Sequence, residues 1–317
     1  MVTTIKPGWS RPAAILFASE IPVNEKAFGF ALAEAAEFGA DLILFHAFDS
    51  PDAASSHGSG LRCDYARCRA ERQRLEPLAQ RARNLGIHCR IVVRPGLAAE
   101  QILLFLRERR IDRVVMGTHS PGPIGKLLVG SVAEAVLRNA PVPVNIVGPE
   151  VVEGAYRNFA ARTILCSVGA QESSRVVASF AAELAARHLA GLILQLVISP
   201  QDCAEALAGR TLGQIAADLP SLVPPRLLHK IGVRVRAVLG DPTEELLYQG
   251  RAQHANLIVL GAQGASQFAA ISRAGIIYKV LAYAQCPVIT LSPIMLALCG
   301  ARGDQPRPSE LCMAGVF

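Results

Sequence analysis

Aromatic residues are scarce in this chain, at 5% of 317 positions, and charged residues reach only 18%. Apolar content is still 51%, so it comes mostly from Ala, Val, Leu and Ile. That mixture excludes a polar disordered chain and suits α/β domains with buried parallel strands. Paired cysteine spacing is also missing. There are eight cysteines, yet Cys63 and Cys68 form no CxxC, and Cys89, Cys166, Cys203 and Cys286 sit in or beside apolar runs. This excludes a zinc or disulfide framework and implies a reducing, cytoplasmic setting. A strong excess of one charge is absent too, since the net charge is +6. The one basic run, Arg67, Arg69, Arg72, Arg74, Arg81 and Arg83, has no interleaved aromatics. It reads as a solvated helix face and not a nucleic-acid surface. The first residues lack a signal peptide's hydrophobic region, and the apolar stretch Cys286–Leu298 is broken by Pro287 and Pro293. No membrane span is expected.

What the chain does have is a repeat. Asp-Arg-Val-Val-Met-Gly-Thr at 112–118 returns as Asn-Leu-Ile-Val-Leu-Gly-Ala at 256–262. Ala-Pro-Val-Pro-Val-Asn-Ile-Val at 140–147 returns as Ala-Gln-Cys-Pro-Val-Ile-Thr-Leu at 284–291. Both pairs are offset by 144 residues, which means duplication of a whole domain and not of a short repeat unit.

In the first copy, strands are expected at Ala13–Ala18, Asp41–Phe48, His88–Arg94, Arg113–Gly117 and Val142–Val147. Helical spacing fills Asn24–Phe38, roughly Tyr65–Leu85, Ala98–Arg109 and Gly130–Arg138, while residues 50–60 have loop composition. The second copy repeats the order, with strands at Thr163–Val168, Gly191–Ile198, Arg234–Leu239, Asn256–Gly261 and Val288–Leu291. Alternation of this kind predicts two tandem open parallel five-stranded sheets flanked by helices, an α/β Rossmann-like class. The expected domains are an extension at 1–11, a first domain at 12–148, a linker at 149–161, a second domain at 162–292 and a flexible tail at 293–317.

Ligands of such sheets sit beyond the carboxyl ends of the strands. The loop after the fourth strand of copy one runs from Met116 and Gly117 through His119 and Ser120 to Gly130, Ser131 and Val132. Gly117 lets the backbone leave the strand sharply, and Gly130-Ser131 opens a helix whose N–H groups and hydroxyl suit a phosphate. The spacing alone leaves a second reading open, in which the glycines only make turns. It is neither a Walker A loop nor a Rossmann fingerprint.

The arrangement resembles the universal stress protein family over about residues 12–148 and 162–292. The stretches Val115–His119 and Gly130–Val144 are close to that family's usual wording. The resemblance implies a five-stranded α/β domain, often in tandem, with ATP or another adenine nucleotide bound by Gly-x2-Gly-x9-Gly-Ser/Thr and by an Asp ending the first strand. Gly117 matches the first motif glycine, and Gly130 with Ser131 matches the last pair. Ser120 replaces the middle glycine, and Pro121 and Pro123 stiffen the loop. The family's Asp falls on Glu20, and Ala47 falls where a small apolar residue lines the adenine pocket. His46 is expected to be structural. Magnesium would arrive with the nucleotide's phosphates.

Copy two keeps Gly261 and Gly264 but reads Ala274-Gly275-Ile276 where Gly-Ser-Val is expected, and Gly169 stands in the acidic position. Two lost polar contacts at about 1–2 kcal/mol each weaken a nucleotide about tenfold to several hundredfold. The resemblance therefore implies one nucleotide site, in domain 1, beside a non-binding partner domain. It also implies that the last strands of the copies pair in an intramolecular pseudo-dimer; a further homodimer is left open. No nucleophile elbow or other catalytic constellation is visible. The expected function is a nucleotide-responsive stress protein and not an enzyme; a non-binding interaction module of the same fold is the alternative, and adenylyl transfer a third.

Overall fold

A computed structural model describes residues 6–49, 58–118, 130–155, 162–169, 171–203, 207–261 and 275–300. The first half holds strands β1 (Ala14–Ala18), β2 (Asp41–Phe48), β3 (Cys89–Pro95), β4 (Arg113–Gly117) and β5 (Val144–Val147). The second holds β6 (Thr163–Val168), β7 (Gly191–Ile198), β8 (Val233–Leu239), β9 (Leu257–Gly261) and β10 (Val288–Leu291). Helices of the first half are α1 (Pro7–Ser10), α2 (Glu25–Phe38), α3 (Gly58–Asn84), α4 (Ala98–Glu108) and α5 (Ser131–Asn139). Those of the second are α6 (Ser173–His188), α7 (Leu212–Asp218), α8 (Pro225–Leu228), α9 (Pro242–Ala252), α10 (Ile276–Tyr283) and α11 (Pro293–Gly300).

Among the described residues, ten strands join one sheet in the order β3-β2-β1-β4-β5-β10-β9-β6-β7-β8. Each half is parallel, as its crossover helices require. The halves meet through one antiparallel ladder, with Val288 opposite Ile146, Ile289 opposite Asn145 and Thr290 opposite Val144. This pairing covers two apolar edges that would otherwise be exposed. The expected two five-stranded sheets are thus halves of a single sheet related by a pseudo-two-fold.

The two faces of the sheet are packed differently. On one face, a single apolar core runs across both halves, from Ile43 and Phe105 through Val136 and Val280 to Ile193 and Leu247. On the other face each half keeps its own core. Trp9 of α1 crosses over to join the core of the second half, beside Phe180 and Leu184.

Three boundaries differ from the sequence reading by more than one residue. Helix α3 starts at Gly58, inside the stretch read as loop, and carries Pro77 within it. Strand β5 starts at Val144 instead of Val142, because two prolines flank Val142 and cannot donate to a ladder. Residues 293–300 form helix α11 where a flexible tail was expected. Pro293 suits a first helical position, Ser292 Oγ accepts from Met295 N at 3.0 Å, and Met295, Leu296 and Cys299 are buried. Among the described residues, no helix is long and apolar enough to cross a membrane.

Candidate functional site

In the first half, the chain runs from β1 outward to β2 and β3, then returns to β4 on the other side of β1. The strand order therefore reverses at β1 and β4, where a ligand crevice is expected. Glu20 lies just beyond β1, Ala47 near the end of β2, and Met116 with Gly117 at the end of β4. Gly130, Ser131 and Val132 open α5. Seven of the nine sequence-derived site residues thus come to the same edge of the sheet. His119 and Ser120 lie outside the described residues.

The surface at this edge is apolar. Ala18, Ala47 and Val132 are half-buried and pack on the same core as buried Met116. Beneath them, the Phe45 and Phe105 rings lie 5.2 Å apart. Arg94 pairs with Ala47 in register, places its guanidinium 4.9 Å from the Phe105 ring centre, and binds Glu108 at 2.5 Å. A flat, weakly polar ring can rest on such a shelf. Sequence reasoning found Ala47 and Met116 but passed over Ala18 and Arg94. The strand alternation held the signal, since Ala18 is two residues past buried Leu16 and Arg94 two past Val92.

The loop bearing Glu20 is tied down locally. Ser19 N donates to Phe45 O at 2.8 Å, and Ser19 Oγ donates to Glu20 O at 3.1 Å. His46 Nδ1 sits 2.9 Å from Ser19 O, while its Nε2 is 4.0 Å from Glu71 Oε2. His46 is therefore a brace for this loop. The Glu20 side chain is exposed at the rim.

The two described glycines of the motif have different physical reasons. A Cβ on Gly117 would lie 2.5 Å from Asn24 Nδ2. Asn24 caps α2 by accepting from Ala27 N at 3.0 Å, and it donates to Thr118 O at 3.4 Å. The close approach of this cap is enough to require glycine at 117. Gly130, by contrast, has φ +75, and among the described residues nothing lies within 4 Å of a Cβ placed there. Its left-handed backbone starts α5 with no side-chain cap, and Ser131 is exposed. Gly130 offers no capping side chain of its own, and first-turn N–H groups beside an exposed Ser131 hydroxyl suit an anion.

The second half presents a different edge. A Cβ on Gly261 would meet Val177 Cγ2 at 2.8 Å, so packing requires this glycine. Helix α10 starts at Ile276, one position later than α5 in the repeat, and its N-cap Gly275 has φ −63. Gly169 N donates to Ser174 Oγ at 2.8 Å. Gly264 and Ala274 lie outside the described residues. Burial pushes the Cys89 thiol up to about 11 and Cys286 up to about 12, so neither is a ready thiolate at neutral pH.

One sheet built from two pseudo-symmetric halves, each with a loop leaving its fourth strand toward a helix, defines a tandem doubly wound α/β protein. The universal stress protein family model matches residues 14–148 and 160–292. The chain belongs to the universal stress protein family. A universal stress protein of Methanocaldococcus jannaschii is 33% identical over 73 residues, 23% of this chain and 43% of that protein. The chain therefore spans less than half the length of that curated relative. The fold is similar to that of a universal stress protein from Archaeoglobus fulgidus DSM 4304, at 16% identity, TM-score 0.68, and coverage of 90% of this chain and 97% of that one. It is also similar to a functionally unknown protein from Pseudomonas aeruginosa PAO1, at 15% identity, TM-score 0.58, and coverage of 93% and 98%.

Proposed function

We propose that this universal stress protein binds ATP or another adenine nucleotide in its first half, and that occupancy tunes its engagement of partners in a stress response. The observation that carries this reading is the adjacency of an apolar shelf, Ala18, Ala47, Met116 and Val132, to the uncapped start of α5 at Gly130 and Ser131. The shelf would hold the base. Backbone N–H groups of α5 and the Ser131 hydroxyl would hold phosphate, and Glu20 at the rim would contact the nucleoside. Among the described residues no cluster of three or more His, Cys, Asp or Glu side chains is placed to bind a metal. Magnesium would then be held chiefly by the nucleotide's own phosphates. We assign binding and not catalysis to the site. The second half, with its later helix start and no left-handed glycine at Gly275, would act as the non-nucleotide partner.

The test is thermal melting of the full chain with and without millimolar ATP and Mg. A ligand at a hundred times its Kd adds about 2.7 kcal/mol of stability. We expect a clear rise in Tm for wild type, a smaller one for Ser131→Ala, and none for Gly130→Val. No rise in wild type would instead support the non-binding interaction module.

A further inference from the structure

The same row of the sheet is apolar in one half and polar in the other. In the first half, Ala18, Phe45 and Val92 lie side by side across β1, β2 and β3. The matching row across β6, β7 and β8 is Ser167, Gln195 and Arg236. The change extends to the covering helix. Phe105 of α4, which packs on Phe45, is replaced at the repeat offset by Gln249 of α9. Gln101 of α4 is replaced by Glu245, and the two occupy equivalent places, each against a glycine: a Cβ on Gly96 would meet Gln101, and one on Gly240 would meet Glu245.

These polar groups are poorly satisfied. Gln195 is fully buried, and neither its amide nitrogen nor its amide oxygen has a hydrogen-bond partner. Among the described residues Arg236 Nε and Glu245 Oε2 also lack a hydrogen bond; these two side chains are 40% and 29% exposed and form an ion pair at 3.6 Å, Arg236 Nη2 to Glu245 Oε2. Buried polar atoms without a partner are destabilising, and a folded chain carries few. Here Gln195 brings two such atoms, and the Arg236–Glu245 pair flanks it from the next strand and the covering helix. The same position in the first half shows that an aromatic pair fills this space well.

We propose that the second half binds a small zwitterion of the amino-acid type beneath α9. Arg236 offers its guanidinium to the carboxylate. Glu245 Oε2 and the Gln195 amide oxygen accept from the ligand's N–H groups, and the Gln195 amide N–H donates back. The charges at the site, one cation against one anion, match a neutral zwitterion better than a polyanionic nucleotide. The inference does not rest on nucleotide binding in the first half.

The test is the melting temperature of the full chain with each of the twenty free amino acids at millimolar concentration, and with propionate and ethylammonium as half-ligands. We expect at least one amino acid to raise the Tm by several degrees, and neither half-ligand to do so. Arg236→Gln and Gln195→Met should abolish that shift. Gln195→Met should itself fold as well as wild type, because it removes a bare amide. The proposal is overturned if no amino acid shifts the wild type, or if the shift survives both substitutions. An ATP shift lost in Gly130→Val but kept in Arg236→Gln separates this site from the nucleotide site.

Discussion

Arg113 donates to Glu34 with both side chains fully buried, and the pair lies at the seam between the two halves. Asn145 Nδ2 of the seam strand donates to the second Glu34 oxygen at 2.8 Å, and Arg113 also donates to the carbonyl of Trp9. The guanidinium lies 5.8 Å from the ring centres of Phe38 in the first half and Phe180 in the second. Burial raises the Glu34 pKa, against the opposing pull of Arg113. Removing one partner leaves an uncompensated buried charge, which costs about 3–5 kcal/mol. We therefore expect Arg113→Met to lower urea-unfolding stability by about that much, and the double variant Glu34→Leu/Arg113→Met to recover part of it. Equal loss in both would mean that the charge is not what makes the single substitution costly.

The same seam carries a pH dependence. The side chain of His188 in α6 is 1% exposed, its ring centre lies 5.4 Å from that of Phe38, and its Nδ1 is 3.9 Å from Glu37. Burial first, then the positive charges of Arg113 and Arg187, lower its pKa to about 4. The folded value lies below the unfolded one, so the unfolded chain binds more protons between the two. Stability from this group is present above about pH 6.5 and is lost as pH falls toward 4, at most by about 3 kcal/mol. Melting curves from pH 7 to pH 4.5 should show a drop that is reduced in His188→Gln. An unchanged drop would assign the acid sensitivity to other groups.

Close backbone approach also holds the halves together. A Cβ on Gly148, just past β5, would lie 2.1 Å from the carbonyl oxygen of Leu281 in α10. At the repeat-related position, Ser292 Oγ donates to Ala140 O after α5. Gly148→Ala must push helix from strand, and overpacking of this kind costs up to about 3 kcal/mol. Gly154→Ala, where a Cβ meets nothing within 4 Å, is the control. We expect the first to lower Tm sharply and the second to leave it within a degree or two. Similar effects at both positions would refute the close approach as the cause.

A double-mutant cycle tests the reason for Gly117. If the Asn24 cap excludes a side chain there, Gly117→Ala is costly in wild type. It should be much cheaper in an Asn24→Ala background, which itself loses about 1 kcal/mol of capping. Coupling near zero in equilibrium unfolding would shift the explanation for Gly117 to another neighbour.

Much of this was legible in the chain, and the parts that were not share a cause. The 144-residue repeat marked two α/β copies, and the resemblance to the stress-protein family implied the seam between their last strands, where apolar runs such as Val-Asn-Ile-Val can be buried on both faces only inside a sheet. Glu34 and Arg113 were invisible as a pair. They are 79 residues apart, and nothing local marks a charge on an alternating helix as buried. Helix α11 was missed because it has no counterpart in the first copy, and its burial depends on α6 of the second half. The polar row at Gln195 and Arg236 emerges only once the register sets it against Phe45 and Val92.

The shelf itself gives a nucleotide prediction independent of the glycine loop. Ala47 is half-buried at the end of β2, beside Arg94 in register and on the same core as Ala18 and Val132. A bulky side chain at this rim would fill the place proposed for the base without entering the packed core. Because Ala47 is only half-buried, Ala47→Tyr should lower stability without ligand by no more than about 1 kcal/mol. It should also abolish the ATP-dependent rise in Tm and any nucleotide retained through purification, read by native mass spectrometry. Retention of a wild-type ATP shift in Ala47→Tyr would place the base elsewhere, while a large loss of stability without ligand would mean that Ala47 is core and not shelf.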